Sequence, residues 1–187
     1  MFKASFQELS KIRTIVVVAL LAAISICLDL FKINIYLTPE LKISFSYVFL
    51  AIGGMLYGPV VASLLGAIMD VCGHFVNPMG PYFLGFTLTA MAGGMIFGIF
   101  LYKKKITPVR VFTSKLIINF ILNTILNTIF ISILYGKYTN VLILPRFIKN
   151  IAVLPFEVLL LYFVLKQVER IYPKIFISKK RIKKEMQ

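Results

Sequence analysis

Arg146, Lys149 and Asn150 follow Pro145 at i, i+3 and i+4, a spacing that puts two cations and an amide on one helix face. Proline suits a first helical turn, where its missing N–H would be unpaired anyway. The pattern therefore predicts a helix starting at Arg146, with both cations beside unpaired N–H groups of positive dipole character. Such a group takes an anion, a carboxylate or phosphate. The competing reading has both cations snorkelling to a membrane interface. Glu157 lies eleven residues on, back near the same face and about 16 Å deeper, with Pro155 set to bend the helix beside it. Three roles are open to it: accepting paired N–H donors from a ligand ring, neutralising Arg146, or neutralising a residue of a neighbouring helix.

Asp70 and His74 are i, i+4 neighbours, and His74 is the only histidine. Two ligands do not make a metal site, and a helix-packing hydrogen bond is the simpler role. Asn119, Asn123 and Asn127 repeat every four residues, with Thr124 and Thr128 alongside. In an apolar helix such a stripe faces other helices or a cavity. Tyr82, Phe83 and Phe86 follow Pro78-Met79-Gly80-Pro81 and offer ring faces for stacking, although aromatic belts look alike. There is no G-x-x-x-x-G-K-[ST], H-E-x-x-H or G-x-S-x-G, so neither ATP hydrolysis nor hydrolytic chemistry has a motif in this chain. No cofactor is expected.

The elements that must carry these groups follow from composition. Of 187 residues, 59% are hydrophobic and 15% charged, against about a quarter charged in a soluble domain. The chain reads as an all-α integral membrane protein, one membrane domain spanning 1–187. Crossing the hydrocarbon takes roughly 20 apolar residues, and six runs qualify: Thr14–Phe31, Ile43–Gly58, Val60–Val76, Pro81–Tyr102, Phe112–Tyr135 and Arg146–Val168. A basic tail, 169–187, follows. The second run is short and meets the third at the Gly58-Pro59 turn. The first could be mistaken for a signal peptide but reads as a retained span, because it lacks a convincing small-x-small cleavage site before Asp29 and its removal would leave five spans.

The net charge of +14 does not indicate nucleic acid, because the basic residues flank apolar runs. The N-terminus (Lys3, Lys11, Arg13), the loop from Lys103 to Lys115 and the tail from Lys166 to Lys184 hold 16 Lys and Arg. Lys32, Lys42, Lys137, Arg146 and Lys149 make 5 on the other side. Both termini are therefore expected in the cytoplasm of a plasma-membrane protein, with the anion site open to the outside. The tail cluster Lys179–Lys184 serves as a topology anchor near anionic lipid. Cys27 and Cys72 lie inside apolar runs without paired spacing, which indicates neither a disulfide framework nor zinc.

Small residues mark another surface. Ala19/Ala23 form A-x-x-x-A, and Gly54/Gly58 and Gly94/Gly98 form G-x-x-x-G, spacings that permit close helix approach within the chain or to a partner.

Tyr57-Gly58-Pro59 through Asp70, followed by Asn77-Pro78-Met79-Gly80-Pro81-Tyr82-Phe83-Leu84-Gly85-Phe86-Thr87-Leu88-Thr89, resembles the substrate-binding (S) subunits of energy-coupling factor transporters. Asn123-Thr124 to Leu134-Tyr135-Gly136-Lys137, Pro145-Arg146-x-x-Lys149-Asn150 and Leu154-Pro155-x-Glu157 resemble the folate-specific branch. The resemblance covers about residues 14 to 170. It implies six spans, vitamin capture from outside, and association with a membrane scaffold subunit and two ATPase subunits. It also implies toppling in the membrane to release ligand inside. Ala19 and Ala23 match the family's docking motif for the scaffold. The folate glutamate carries two carboxylates that Arg146 and Lys149 would receive, and its pterin ring suits aromatic stacking and an acidic acceptor among Glu157, Asp70 and Asp29. The competing functions are capture of another anionic vitamin or precursor, a scaffold protein without ligand, and an ion-coupled carrier acting alone. The last would carry inverted repeats, and none is visible.

Overall fold

The computed structural model describes residues 1–31, 35–38, 41–78, 80–136 and 139–172, with side chains described at 1–31, 44–78, 80–134, 136 and 143–172. Lys32, Met79, Lys137 and the tail cluster Lys179–Lys184 lie outside the described residues, as does the Lys42 side chain.

The chain folds as α1 (Phe2–Glu8), α2 (Ile12–Leu30), a hairpin of β1 (Ile35–Thr38) and β2 (Leu41–Ile43), α3 (Ser46–Tyr57), α4 (Pro59–Val76) and α5 (Leu84–Leu101). A continuous rod then joins α6 (Pro108–Ile117), a π-helical segment (Ile118–Leu126) and α7 (Asn127–Tyr135), and α8 (Thr139–Ile171) closes the order. Among the described residues, five stretches are long and apolar enough to cross a bilayer: Ile12–Leu30, Pro59–Val76, Leu84–Leu101, Pro108–Leu134 and Ile143–Ile171.

The pattern of burial is that of a protein dissolved in lipid. Ile121, Ile125, Ile129 and Ile133 recur every four residues on the outside of the rod, and Ile148, Ile151, Phe156, Leu159 and Phe163 are exposed on α8 at spacings of three to five. Polar Asn119, Thr124, Thr128, Arg146, Asn150 and Glu157 are buried instead. Water would reverse that arrangement; hydrocarbon requires it.

Three expectations change here. The second run does not begin at Ile43, which sits in β2 opposite Ile35. An open hairpin has unpaired edges that hydrocarbon does not tolerate, so this connection belongs to the aqueous surface. The helix left, α3, has 12 residues and is only about 18 Å long. The sixth helix starts at Thr139 rather than Arg146, which places Pro145 inside it. The apolar stretch 141–144 continues the helix on the N-terminal side of Pro145, and membrane helices accommodate internal proline. The N–H groups after Pro145 are consequently not those of a helix terminus, and the dipole part of the anion argument falls away.

Two apolar clusters hold the bundle. One joins α3, α5, α6 and α8 through Met55, Phe97, Leu101, Val111, Leu161 and Leu165; the other joins α2 to α4 through Leu21, Ala22, Leu65 and Met69. The α4–α5 contact is the most extensive, because glycine lets backbones touch. A Cβ on Gly94 would lie 2.2 Å from the Ala62 carbonyl oxygen, and one on Gly98 2.3 Å from Pro59 Cα. Both G-x-x-x-G pairs are thus spent inside the chain. Gly94→Ala is expected to destabilise the protein by about 1–3 kcal/mol, read as a lower melting temperature in detergent.

At the α3–α4 corner, Gly58 takes φ +92° and Pro59 opens α4. Gly58 has no side chain to cap α4, and α1 supplies one. The buried Ser5 hydroxyl donates to the Tyr57 carbonyl (2.8 Å) and accepts the N–H groups of Val60 (3.1 Å) and Val61 (3.3 Å). Two otherwise unpaired donors of the first turn are satisfied in this way.

Candidate functional site

The inward face of α8 carries Arg146, Asn150, Leu154, Glu157, Leu161 and Leu165, all buried, with Lys149 half-buried beside them. Spacings of three and four residues over five turns make one stripe. Arg146 and Glu157 share it, as their separation of eleven residues requires.

Asn150 clamps α8 to the π-helical segment. Its amide nitrogen donates to the Asn119 backbone carbonyl (3.1 Å) and to the Thr124 hydroxyl oxygen (2.7 Å), while the Thr124 hydroxyl donates to that same carbonyl (2.8 Å). A π-helical turn shifts the backbone ladder from its usual register, a device frequent at functional sites. Here two side-chain donors attend the Asn119 carbonyl.

Below this clamp lies a buried ion pair. Lys115 Nζ is 3.2 Å from Glu157 Oε1, and the Asn119 amide donates to Glu157 Oε2 at 2.7 Å. The ammonium also stands 3.5 Å from the centroid of the Tyr47 ring on α3, a cation–π contact. Of the three roles open to Glu157, the structure displays the third, neutralisation of a neighbouring helix. Lys115 is 2% exposed and belongs to α6, so its assignment to a cytoplasmic loop is corrected.

The asparagine stripe continues from this pair. Asn123 donates to Asn119 Oδ1 (3.2 Å), Asn127 to Asn123 Oδ1 (3.5 Å), and the Thr89 hydroxyl of α5 meets Asn127 Oδ1 at 3.1 Å. Towards the end of α5 that follows the Pro81 loop, Phe83, Phe86 and Phe130 form a cluster with ring centroids 5.4–6.3 Å apart. Tyr82 does not join it. Its ring lies against His74 (5.3 Å), and its hydroxyl is 2.6 Å from that of Thr87, which donates to Asp70 Oδ2 at 2.7 Å. Asp70 is thereby tied to α5, and His74 engages aromatic rings. Among the described residues, no group of three or more His, Cys, Asp or Glu could hold a metal. Asp29, buried on α2, packs a carboxylate oxygen towards Gly73.

Ala19 and Ala23 lie on the exposed face of α2, while Leu21, Ala22, Ser25 and Asp29 face inward.

A family model described as "ECF transporter, substrate-specific component" matches residues 13–165. The chain belongs to this family. Two curated relatives are named folate transporter FolT. The one from Clostridium novyi (strain NT) is 36% identical over 134 residues, covering 72% of this chain and 78% of the relative. The one from Leuconostoc mesenteroides subsp. mesenteroides is 31% identical over 159 residues, covering 82% and 84%. A solved structure titled "Crystal structure of FolT bound with folic acid" superposes with a TM-score of 0.75 at 33% identity, covering 82% of this chain and 93% of that one.

As a substrate-specific component of an ECF transporter, the chain is a transporter subunit rather than an enzyme. Lys115, Tyr47 and Thr89 are the polar-core residues that sequence reasoning missed. A signal for Lys115 exists: Lys115, Asn119, Asn123 and Asn127 repeat every four residues, so the cation heads the amide stripe on one face.

Proposed function

We propose that this chain captures a folate-type vitamin from outside the cell, as the substrate-specific subunit of an ATP-driven ECF uptake transporter. The observation that carries the reading is the buried Arg146, with Lys149 and Asn150 on the same inward face of α8, in a chain 33% identical to a FolT solved with folic acid. A buried guanidinium is costly in lipid and recovers part of that cost when a carboxylate meets it in bidentate fashion. The glutamate of folate supplies two. The ring end is assigned to the Phe83–Phe86–Phe130 cluster and the half-buried Asn123. Asp70, held by Thr87, and His74, packed on Tyr82, border the same end.

In this reading α3 completes six spans within one membrane domain, and both termini are cytoplasmic; the charge bias survives the loss of Lys115 from the count. ATP is hydrolysed by two partner subunits, and a membrane scaffold subunit docks on the exposed Ala19–Ala23 face. Ala23→Leu is expected to leave ligand affinity and melting temperature unchanged, since the side chain touches no core. Co-purification with the scaffold subunit should fall at least about tenfold, the effect of roughly 1.4 kcal/mol at the contact.

The deciding experiment is calorimetric titration of the purified, detergent-solubilised chain with folic acid, with tyrosine fluorescence as a second signal because the chain has 9 Tyr and no Trp. Saturable one-to-one binding is expected. A folded protein that ignores folic acid but binds another anionic vitamin would replace the ligand. One that binds none would return the chain to a scaffold role.

A further inference from the structure

An asparagine side chain reads as donor or acceptor according to which way its amide is turned, and only its partners decide that. Three such amides stand in a row here, and the row has a fixed end. An ionised carboxylate accepts only, and an ammonium donates only. Lys115 Nζ lies 3.2 Å from Glu157 Oε1, an ion pair whose ammonium donates to that oxygen. Glu157 Oε2 therefore requires a donor from Asn119, at 2.7 Å. With that nitrogen committed, Asn119 Oδ1 must face the next rung, and it receives Asn123 Nδ2 at 3.2 Å. Asn123 Oδ1 in turn receives Asn127 Nδ2 at 3.5 Å, and Asn127 Oδ1 lies 3.1 Å from the Thr89 hydroxyl. Turning Asn119 or Asn123 alone would set donor against donor on one side and acceptor against acceptor on the other, and Asn127 follows from Asn123, because the Thr89 hydroxyl donates to the Phe86 carbonyl (2.7 Å) and fits either face of the amide.

Asn119 is 1% exposed, so it meets nothing but protein. Asn123 and Asn127 are only half-buried, and each amide nitrogen keeps a second N–H beyond the one used in the ladder. We infer that the Lys115–Glu157 pair is a polarity lock, which acts through buried Asn119 to fix the donor and acceptor order that Asn123 and Asn127 display to the heteroaromatic ring of the ligand. Glu157, Lys115 and Asn119 are then positioning residues that set specificity without touching the ligand. The inference rests on the folate reading.

The test uses two ligands that differ in hydrogen-bond order alone at one ring edge: folic acid and its 4-amino analogue. Exchanging the 4-oxo group for an amino group turns an acceptor into a donor and the neighbouring ring N–H into an acceptor. The readout is the ratio of their two affinities, measured by calorimetry on the full chain. Wild type is expected to prefer one ligand. In Glu157→Gln the amide oxygen stays with the donor-only Lys115 ammonium and the NH2 group turns to Asn119, which reverses the order and should shift the ratio by about tenfold against the ligand that wild type prefers, the scale of one mispaired hydrogen bond. Asn119→Leu keeps the ion pair and removes the link, and should do the same, which covers the case in which Glu157→Gln does not fold. The double variant E157Q/N119D places an acceptor-only group at the base of the ladder, four residues from Lys115, and should restore the wild-type ratio. A folded Glu157→Gln or Asn119→Leu that weakens both ligands equally would show a structural role and overturn the lock, as would a wild type that binds both without preference. Wild-type protein that binds neither ligand would instead overturn the folate reading itself.

Discussion

Arg146→Ala is expected to bind folic acid at least about 30-fold more weakly than wild type, while still inserting in the membrane and purifying as a folded protein. The magnitude follows from truncating one member of a buried charge pair, which costs about 2–5 kcal/mol. Arg146 is 8% exposed on the inward face of α8, where an arriving carboxylate displaces little water and gains two parallel N–H donors. Arg146→Lys keeps the charge but loses the planar fork, so its affinity should fall between the two. A cycle isolates the contact. The dimethyl ester of folic acid carries no carboxylate, so it should bind wild type weakly and lose little more in Arg146→Ala. Equal folic acid affinity in a folded Arg146→Ala would remove this residue from the site.

Most of the membrane architecture was legible because hydrocarbon imposes strong rules. The run from Val60 to Val76 begins one residue inside the observed α4, because Gly58-Pro59 can only be a corner with proline in the first turn. One boundary moved where lipid relaxes a rule learned from water, the other where the chain leaves the lipid. Pro145 signals a helix start in a soluble protein, yet α8 runs through it from Thr139. Ile43 extends an apolar run on paper, but its backbone pairs with Ile35 in a hairpin, a pairing that counting apolar residues along the run does not register.

The site was legible by residue type and less so by partner. Arg146, Asn150 and Glu157 share a face because helical spacing demands it. Which carboxylate pairs with which cation depends on how helices rotate against one another, and sequence does not carry that directly. Lys115 illustrates the difficulty: a lysine near the end of an apolar run reads as an interface anchor, and only the four-residue repeat with three asparagines places it inward. The π-helical register of Ile118–Leu126 had no sequence signal at all, since its residues are ordinary helix formers in a membrane. The Asn150 clamp on the Asn119 carbonyl was out of reach for the same reason.

The remaining large effect concerns stability. Lys115→Met should destabilise the folded protein by about 3–5 kcal/mol, because it leaves the Glu157 carboxylate buried without its cation. Against a typical total of 5–15 kcal/mol, that is enough to lower the yield of folded protein and its melting temperature in detergent markedly. Glu157→Gln should cost less, since the ammonium keeps the Tyr47 ring 3.5 Å away and cation–π attraction strengthens when the pair is dry. The double variant K115M/E157Q removes both charges and should recover much of what Lys115→Met loses, because an absent buried pair is far cheaper than a broken one. Thermal unfolding of the four proteins, followed by circular dichroism in one detergent, measures the coupling. Losses that simply add in the double variant would mean that Lys115 and Glu157 do not act as a pair, and the 3.2 Å contact would then carry no energetic weight.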